Sequence, residues 1–182
     1  MSSENIMDHL YHAVPPNMQG TVLYPLNVLK EKMPEVYKLE VRKYDGREQT
    51  LTDRIPTLGC LWNDVLHFTA VPPADLQKAL MESGRPEMFH KTFFQIDPHL
   101  LDPHQTTIYL YEYSDAERKS NPDSYAPYNA GDIKGCSGIP DVTREYFKDR
   151  FKSRKKPLLY YRVPHILYHG ALDVTDILRV SV

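Results

Sequence analysis

Cysteine is nearly absent from this chain of 182 residues: Cys60 and Cys136 are the only two, and they lie far apart. Two isolated thiols fit neither a disulfide framework nor a metal-ligand spacing, which excludes a small secreted scaffold and points to free thiols in a reducing compartment. Glycine is sparse as well, and none of the 8 builds the phosphate-cradling loop of a nucleotide triphosphatase. There is no helix-borne pair of zinc histidines, no nucleophile elbow and no calcium loop, so the common metalloproteases and esterases are excluded too. No run approaches the roughly 18 apolar residues of a membrane-spanning helix. The formal net charge of −2 creates no global field that would select nucleic acid or an anionic surface. The first ten residues hold Glu4 and Asp8 without an apolar run, unlike a signal peptide. The expectation is a cytoplasmic protein with no membrane partner.

What is present is ordinary in bulk and unusual in detail. With 41% apolar and 25% charged residues, the chain has the balance of a globular protein. Its length can bury a core without staples. No repeat or low-complexity linker divides it, so residues 1–182 read as a single domain. The 15 prolines are spread as punctuation between short elements. The 13 tyrosines suit half-buried sheet faces or a ligand cleft.

Leu10-Tyr11-His12-Ala13-Val14 reads as a first strand stopped by Pro15-Pro16. Helices are expected over 26–33 and 34–44, the second with Tyr37, Val41 and Tyr44 on one side and Gly46 as its stop. Residues 64–71 read as a central strand, followed by a helix over 74–83 that turns Leu76, Leu80 and Met81 to the core. Further strands are expected over 91–96 and 106–113, the latter apolar on both faces. A long loop over 121–140 precedes a basic helix over 141–152 capped by Asp141. Segments 158–163 and 166–172, a helical turn over 173–178 and a last strand over 179–182 close the chain. Strands outnumber helices and few are separated by a crossover helix, which predicts an α+β fold with a mainly antiparallel sheet.

Eight histidines raise the question of metal. His9 and His12 are three apart and diverge on a strand, His99 and His104 are five apart, and His165 and His169, four apart, share a strand face. A metal site needs three or four convergent ligands, and no such set is legible, so no metal is expected. Hydrolysis through His165, His169 and a carboxylate is the reading that would require one. His12 and His67 each sit mid-strand among apolar neighbours, where a histidine must find a hydrogen-bond partner or a ligand, because an unpaired buried polar group costs about 1–3 kcal/mol. Each equally suits a satisfied sheet histidine. Trp62-Asn63-Asp64 before His67 offers stacking, hydrogen bonding and a carboxylate, or a tryptophan lid on a turn. Between Thr143 and Lys156 there are seven Lys or Arg against Glu145 and Asp149. Val142, Tyr146, Phe147 and Phe151 then form the apolar stripe of an amphipathic helix whose cations are solvated or contact phosphate.

The order of blocks resembles the ADP-ribosyltransferase-like superfamily, in particular its DNA-modifying toxin group. Leu10-Tyr11-His12 is similar to that family's opening strand, whose histidine or arginine binds NAD ribose. Leu66-His67-Phe68-Thr69-Ala70 with the helix after it resembles the next strand–helix block, and Ile166-Leu167-Tyr168-His169-Gly170 through Ile177-Leu178-Arg179-Val180 resembles the closing one. The chain also looks like small bacterial proteins without an assigned function. The resemblance implies NAD as ligand, with His12, His67 and Asp64 as catalytic candidates and His12, Trp62, Tyr109 and Tyr111 binding the nucleotide, a tyrosine stacking on nicotinamide. It implies a protein or nucleic-acid acceptor. The family's glutamate at the start of the C-terminal strand is missing, since Arg162-Val163-Pro164-His165 stands there. Asp173, Asp176 and Glu112 are the acids that could replace it; without one, the implication is a protein that binds nucleotide and does not turn it over. The competing reading is a non-catalytic module that takes a protein or phosphorylated partner on the basic helix and the Tyr-rich 121–140 loop.

Overall fold

The computed structural model of the chain describes residues 8–111 and 119–182. Alternation and proline punctuation produce short elements, in the order β1 (Leu10–Ala13), β2 (Val22–Leu23), α1 (Leu26–Lys32), α2 (Pro34–Glu40), β3 (Arg54–Ile55), β4 (Cys60–Leu61), β5 (Leu66–Phe68) and α3 (Pro73–Glu82). They continue with β6 (Thr92–Ile96), β7 (Thr106–Tyr109), β8 (Tyr125–Pro127), α4 (Asp141–Lys152), β9 (His165–Tyr168), β10 (Leu172–Asp173) and β11 (Leu178–Ser181). Every strand pairing is antiparallel, and the fold is α+β.

Two sheets carry the architecture. One is four-stranded in the order β5-β9-β7-β8, and the other is three-stranded in the order β1-β6-β11. They meet where β1 runs beside the end of β5: Tyr11 and Thr69 exchange backbone hydrogen bonds of 2.7 and 3.1 Å. Facing positions share a side of the sheet, so Leu66, Phe68, Ile108 and Ile166 turn one way and join Leu10, Phe94 and Ile96 in the main core. The opposite face of the four-stranded sheet carries His67, Tyr109, His165 and Leu167. A third cluster forms between α3 and α4, from Leu76, Ala79, Leu80 and Phe147.

Several expectations shift. The strand over 64–71 is only Leu66–Phe68, and it is not central in its own sheet but stands at the seam between the two. The strand over 106–113 stops at Tyr109, because Tyr111 takes a left-handed φ of 60° that no strand holds; Glu112 and Tyr113 lie outside the described residues. The segment 158–163 is built of turns. Met81 is 39% exposed and Ala79 takes its place in the core, while Val142 is exposed and Phe147 is wholly buried. Asp141 lies in the first turn of α4, whose cap position is Pro140 with no side-chain cap. The 34–44 helix changes to a 3₁₀ turn after Glu40, and its buried side carries Val36 and Tyr44. The 121–140 loop is built of β8 and 3₁₀ turns, with Asn121 and Asn129 side chains accepting from the backbone N–H of Asp123 and Gly131. Tyr128, Ile133 and Cys136 of that loop belong to the core.

Phe94 is wholly buried on the middle strand of the three-stranded sheet, whereas Leu178 is 63% exposed. Phe94→Ala is therefore expected to lower stability by about 3–5 kcal/mol and Leu178→Ala by less than about 0.5 kcal/mol, read from urea unfolding midpoints.

Candidate ligand cleft

The seam between the sheets is where the sequence places its two mid-strand histidines, and the structure brings them together. His12 Nδ1 donates to the backbone oxygen of His67 at 2.8 Å, and His67 Nε2 donates to the backbone oxygen of Trp62 at 2.9 Å. Carbonyl acceptors fix both tautomers. His12 is left with Nε2 as a bare acceptor, for which no partner exists among the described residues. Each histidine keeps some solvent exposure, yet protein surrounds the rings densely enough that burial disfavours their charged forms. His12 is lowered to about 4, by burial first and by the charges of Lys43 and Lys91 next, against the raising effect of its bond to His67. His67 is held well below the usual range by burial, then by His165 and Lys43. Both are neutral at neutral pH.

His12 and His67 line a half-open cavity of about 90 Å³ together with Tyr24, Glu40, Lys43 and Tyr44. One water occupies roughly 10–15 Å³ by that measure, so the space holds several waters or a ligand fragment of sugar size. Sequence reasoning placed Tyr44 on the inward stripe of its helix but missed Glu40 and Lys43 beside it in this wall. The signal was the spacing 36, 40, 43 and 44 along one helical side, which a stripe drawn through Tyr37 and Val41 displaces by one residue.

On the far face of the four-stranded sheet lies an aromatic cluster. Trp62 is buried, with its ring 4.9 Å from His67 and 5.3 Å from Tyr109. Tyr109 is wholly buried, with Tyr111 at 4.3 Å and Tyr125 at 5.1 Å, so its ring has no face open to a ligand. Tyr111 is half-buried and lies 5.3 Å from His165, whose Nδ1 donates to the Val163 carbonyl at 2.7 Å. Lys119 rests over Trp62 at 4.6 Å and pairs with Asp53. His67 is the one candidate that belongs to both the cavity wall and this cluster.

The acids fall elsewhere. Asp64 is fastened, accepting from Asn27 Nδ2 and from the backbone N–H of Leu61, both at 2.7 Å, and is not in the cavity wall. Asp173 accepts from the Thr175 N–H and hydroxyl, and both it and Asp176 are exposed away from the cavity. Glu112 lies outside the described residues. Glu40 is the carboxylate that lines the cleft. Among the described residues no three His, Cys, Asp or Glu side chains gather to hold a metal, and His169 is exposed beyond the end of β9.

The depressed histidines make stability depend on pH with a defined sign. Unfolded chain takes up a proton near the ordinary histidine value of 6.5, while folded His12 resists protonation until about 4. Stability is full above the first value and is lost as pH falls toward the second. Urea midpoints are expected to drop between pH 7 and pH 5, and His12→Asn should shrink that drop; an equal drop in the variant would contradict the assignment.

No protein-family model matches the chain, and neither does any curated protein or solved structure.

Proposed function

We propose that the cleft at the sheet seam binds a nucleotide of the NAD type, in a protein of ADP-ribosyltransferase-like function. The observation that carries this reading is His12: its ring is fixed by the His67 carbonyl, its neutral Nε2 is unpartnered among the described residues, and it lines a cavity whose mainly apolar wall also carries two tyrosines and a carboxylate. A bare imidazole nitrogen accepts from a ribose hydroxyl, and the Tyr24 and Tyr44 rings offer apolar faces to a base or sugar. The block order supports it too, with a histidine on β1, a strand–helix unit in β5 and α3, and a closing strand, turn and strand in β9 to β11. Loss of nicotinamide would leave an oxocarbenium-like ribose, which a fixed negative charge stabilises, and Glu40 is placed to supply it from the cavity wall. Trp62 packs behind the site against His67, while Tyr111 lies with His165 on the far face of the sheet, outside the cavity. The cavity holds a part of a dinucleotide, and the rest would extend through its open side.

A thermal melt with millimolar NAD tests this. Ligand at about a hundred times its dissociation constant adds roughly 2.7 kcal/mol, a shift on the order of 5–10 °C for a chain of this size. The shift should vanish in His12→Ala; an unshifted wild type, or a variant that shifts equally, would sink the reading.

A second reading rests on the end of α4 and the turn after it. Lys152, Arg154, Lys155 and Lys156 are exposed and form no ion pair with described residues, the arrangement of a docking patch for a phosphorylated or acidic partner. Neutralising these four should then abolish partner capture in a salt-sensitive way and leave the NAD melt unchanged.

A further inference from the structure

We propose that the interior of the cleft binds a small uncharged molecule with a hydrocarbon body and a carbonyl oxygen, such as an aliphatic amide or ketone, and that the Asn63 carboxamide is the group that binds the carbonyl. The proposal concerns the cavity that the nucleotide reading uses, but it rests on Asn63 and the apolar wall alone.

Asn63 stands in the turn between β4 and β5 and is only 1% exposed. The backbone around it is fastened. Its carbonyl accepts from the backbone N–H of Asn27 in the first turn of α1, at 3.0 Å. The next residue, Asp64, closes the turn by accepting from the Leu61 N–H at 2.7 Å. The Asn63 side chain is left over from this arrangement: its Nδ2 is shielded from water and has no hydrogen-bond partner among the described residues. Asn63 lines the same cavity as His12.

Most of the remaining wall is hydrocarbon. Leu26 and Leu29 of α1, Val36 of α2, and Val65 and Leu66 at the start of β5 all line it. The charged residues of the wall lie toward solvent. Lys43 is exposed, and Glu40 Oε1 accepts from exposed Asn17 Nδ2 at 3.3 Å.

Such a wall favours hydrocarbon and rejects charge, because a charge moved out of water into apolar surroundings is strongly destabilised. A buried N–H without an acceptor is unfavourable as well, and a ligand that brings an acceptor relieves it. A water in the apolar part would find few of the two to four polar partners it needs. The two demands together select the ligand class. Plain hydrocarbon fills the space and leaves Nδ2 unpaired. A carboxylate supplies the acceptor but carries a charge inside. A neutral carbonyl on an apolar body meets both.

NMR titration of the nitrogen-labelled full chain with hexanamide, methyl butyl ketone, acetamide and hexanoate, on wild type and Asn63→Leu, tests the assignment. In wild type, hexanamide and the ketone should shift the Asn63 side-chain N–H resonances. Acetamide lacks the hydrocarbon body and hexanoate is charged, so each should bind at least about tenfold more weakly than hexanamide. Asn63→Leu should weaken hexanamide by about two- to tenfold, the range for one neutral hydrogen bond. The same variant should melt at or above the wild-type temperature, since an apolar group of similar shape replaces a donor that bonds nothing in the free protein. A variant that melts well below wild type would show Asn63 holding the fold and would overturn the proposal. So would a wild type that binds neither carbonyl compound, or that binds hexanoate as tightly as hexanamide. Hexanamide that binds through Asn63 while NAD neither binds nor displaces it would uphold the proposal and remove the nucleotide reading.

Discussion

The bond from His12 Nδ1 to the His67 carbonyl crosses the seam between the two sheets, beside the apolar core they share. Among the described residues the backbone of the two sheets pairs at the Tyr11–Thr69 bridge, and the His12 side chain adds a cross-link beside it, next to the apolar core that both sheets share. The same bond fixes which nitrogen of His12 carries the proton. Seam and site chemistry therefore meet in one residue: the ring that ties the sheets also lines the cleft, and its other nitrogen is left as an acceptor. His67 repeats the device one strand over, tied to the Trp62 carbonyl, and passes the constraint to the aromatic face behind it.

That arrangement keeps the cleft wall electrically simple. Two neutral imidazoles, one carboxylate and one ammonium stand in a wall that is otherwise mainly apolar, and burial keeps both histidines uncharged, with the Lys43 charge adding to it. The cluster of Trp62, Tyr109, Tyr111 and Tyr125 is a packing face, since its largest rings are buried against one another. Much of the tyrosine surplus goes into such packing. The hydroxyls of Tyr125 and Tyr128 are satisfied by the carbonyls of Lys119 and Pro98, and Tyr146 stacks on Tyr161 at 4.0 Å.

Local chemistry made the elements legible. Alternation and paired prolines bound β1 and β5, Pro34 opens α2, and the two-sided apolar character of β7 is matched by burial of all four of its residues. His12 and His67 stood out because polar rings amid apolar strand residues need partners, and their partner is a backbone carbonyl that no side-chain motif announces. What could not be read was the strand order, because antiparallel pairing between distant segments leaves no mark in either one. The cavity wall was lost for a subtler reason. Val36, Glu40, Lys43 and Tyr44 share one helical side, and the polar Glu40 and Lys43 hide that side from a stripe drawn through apolar residues alone. Asp64 drew attention as an acid beside His67, but its two oxygens are spent on a turn and on Asn27.

The protonation of His12 is the point on which cleft and seam both rest, and nitrogen-detected NMR of the imidazole reads it directly. The expected result at neutral pH is a neutral ring protonated on Nδ1, with an unprotonated Nε2 that persists down to about pH 5 and shifts when NAD is added. A ring protonated on Nε2, a charged imidazolium already present at neutral pH, or an Nε2 signal indifferent to NAD would contradict this account.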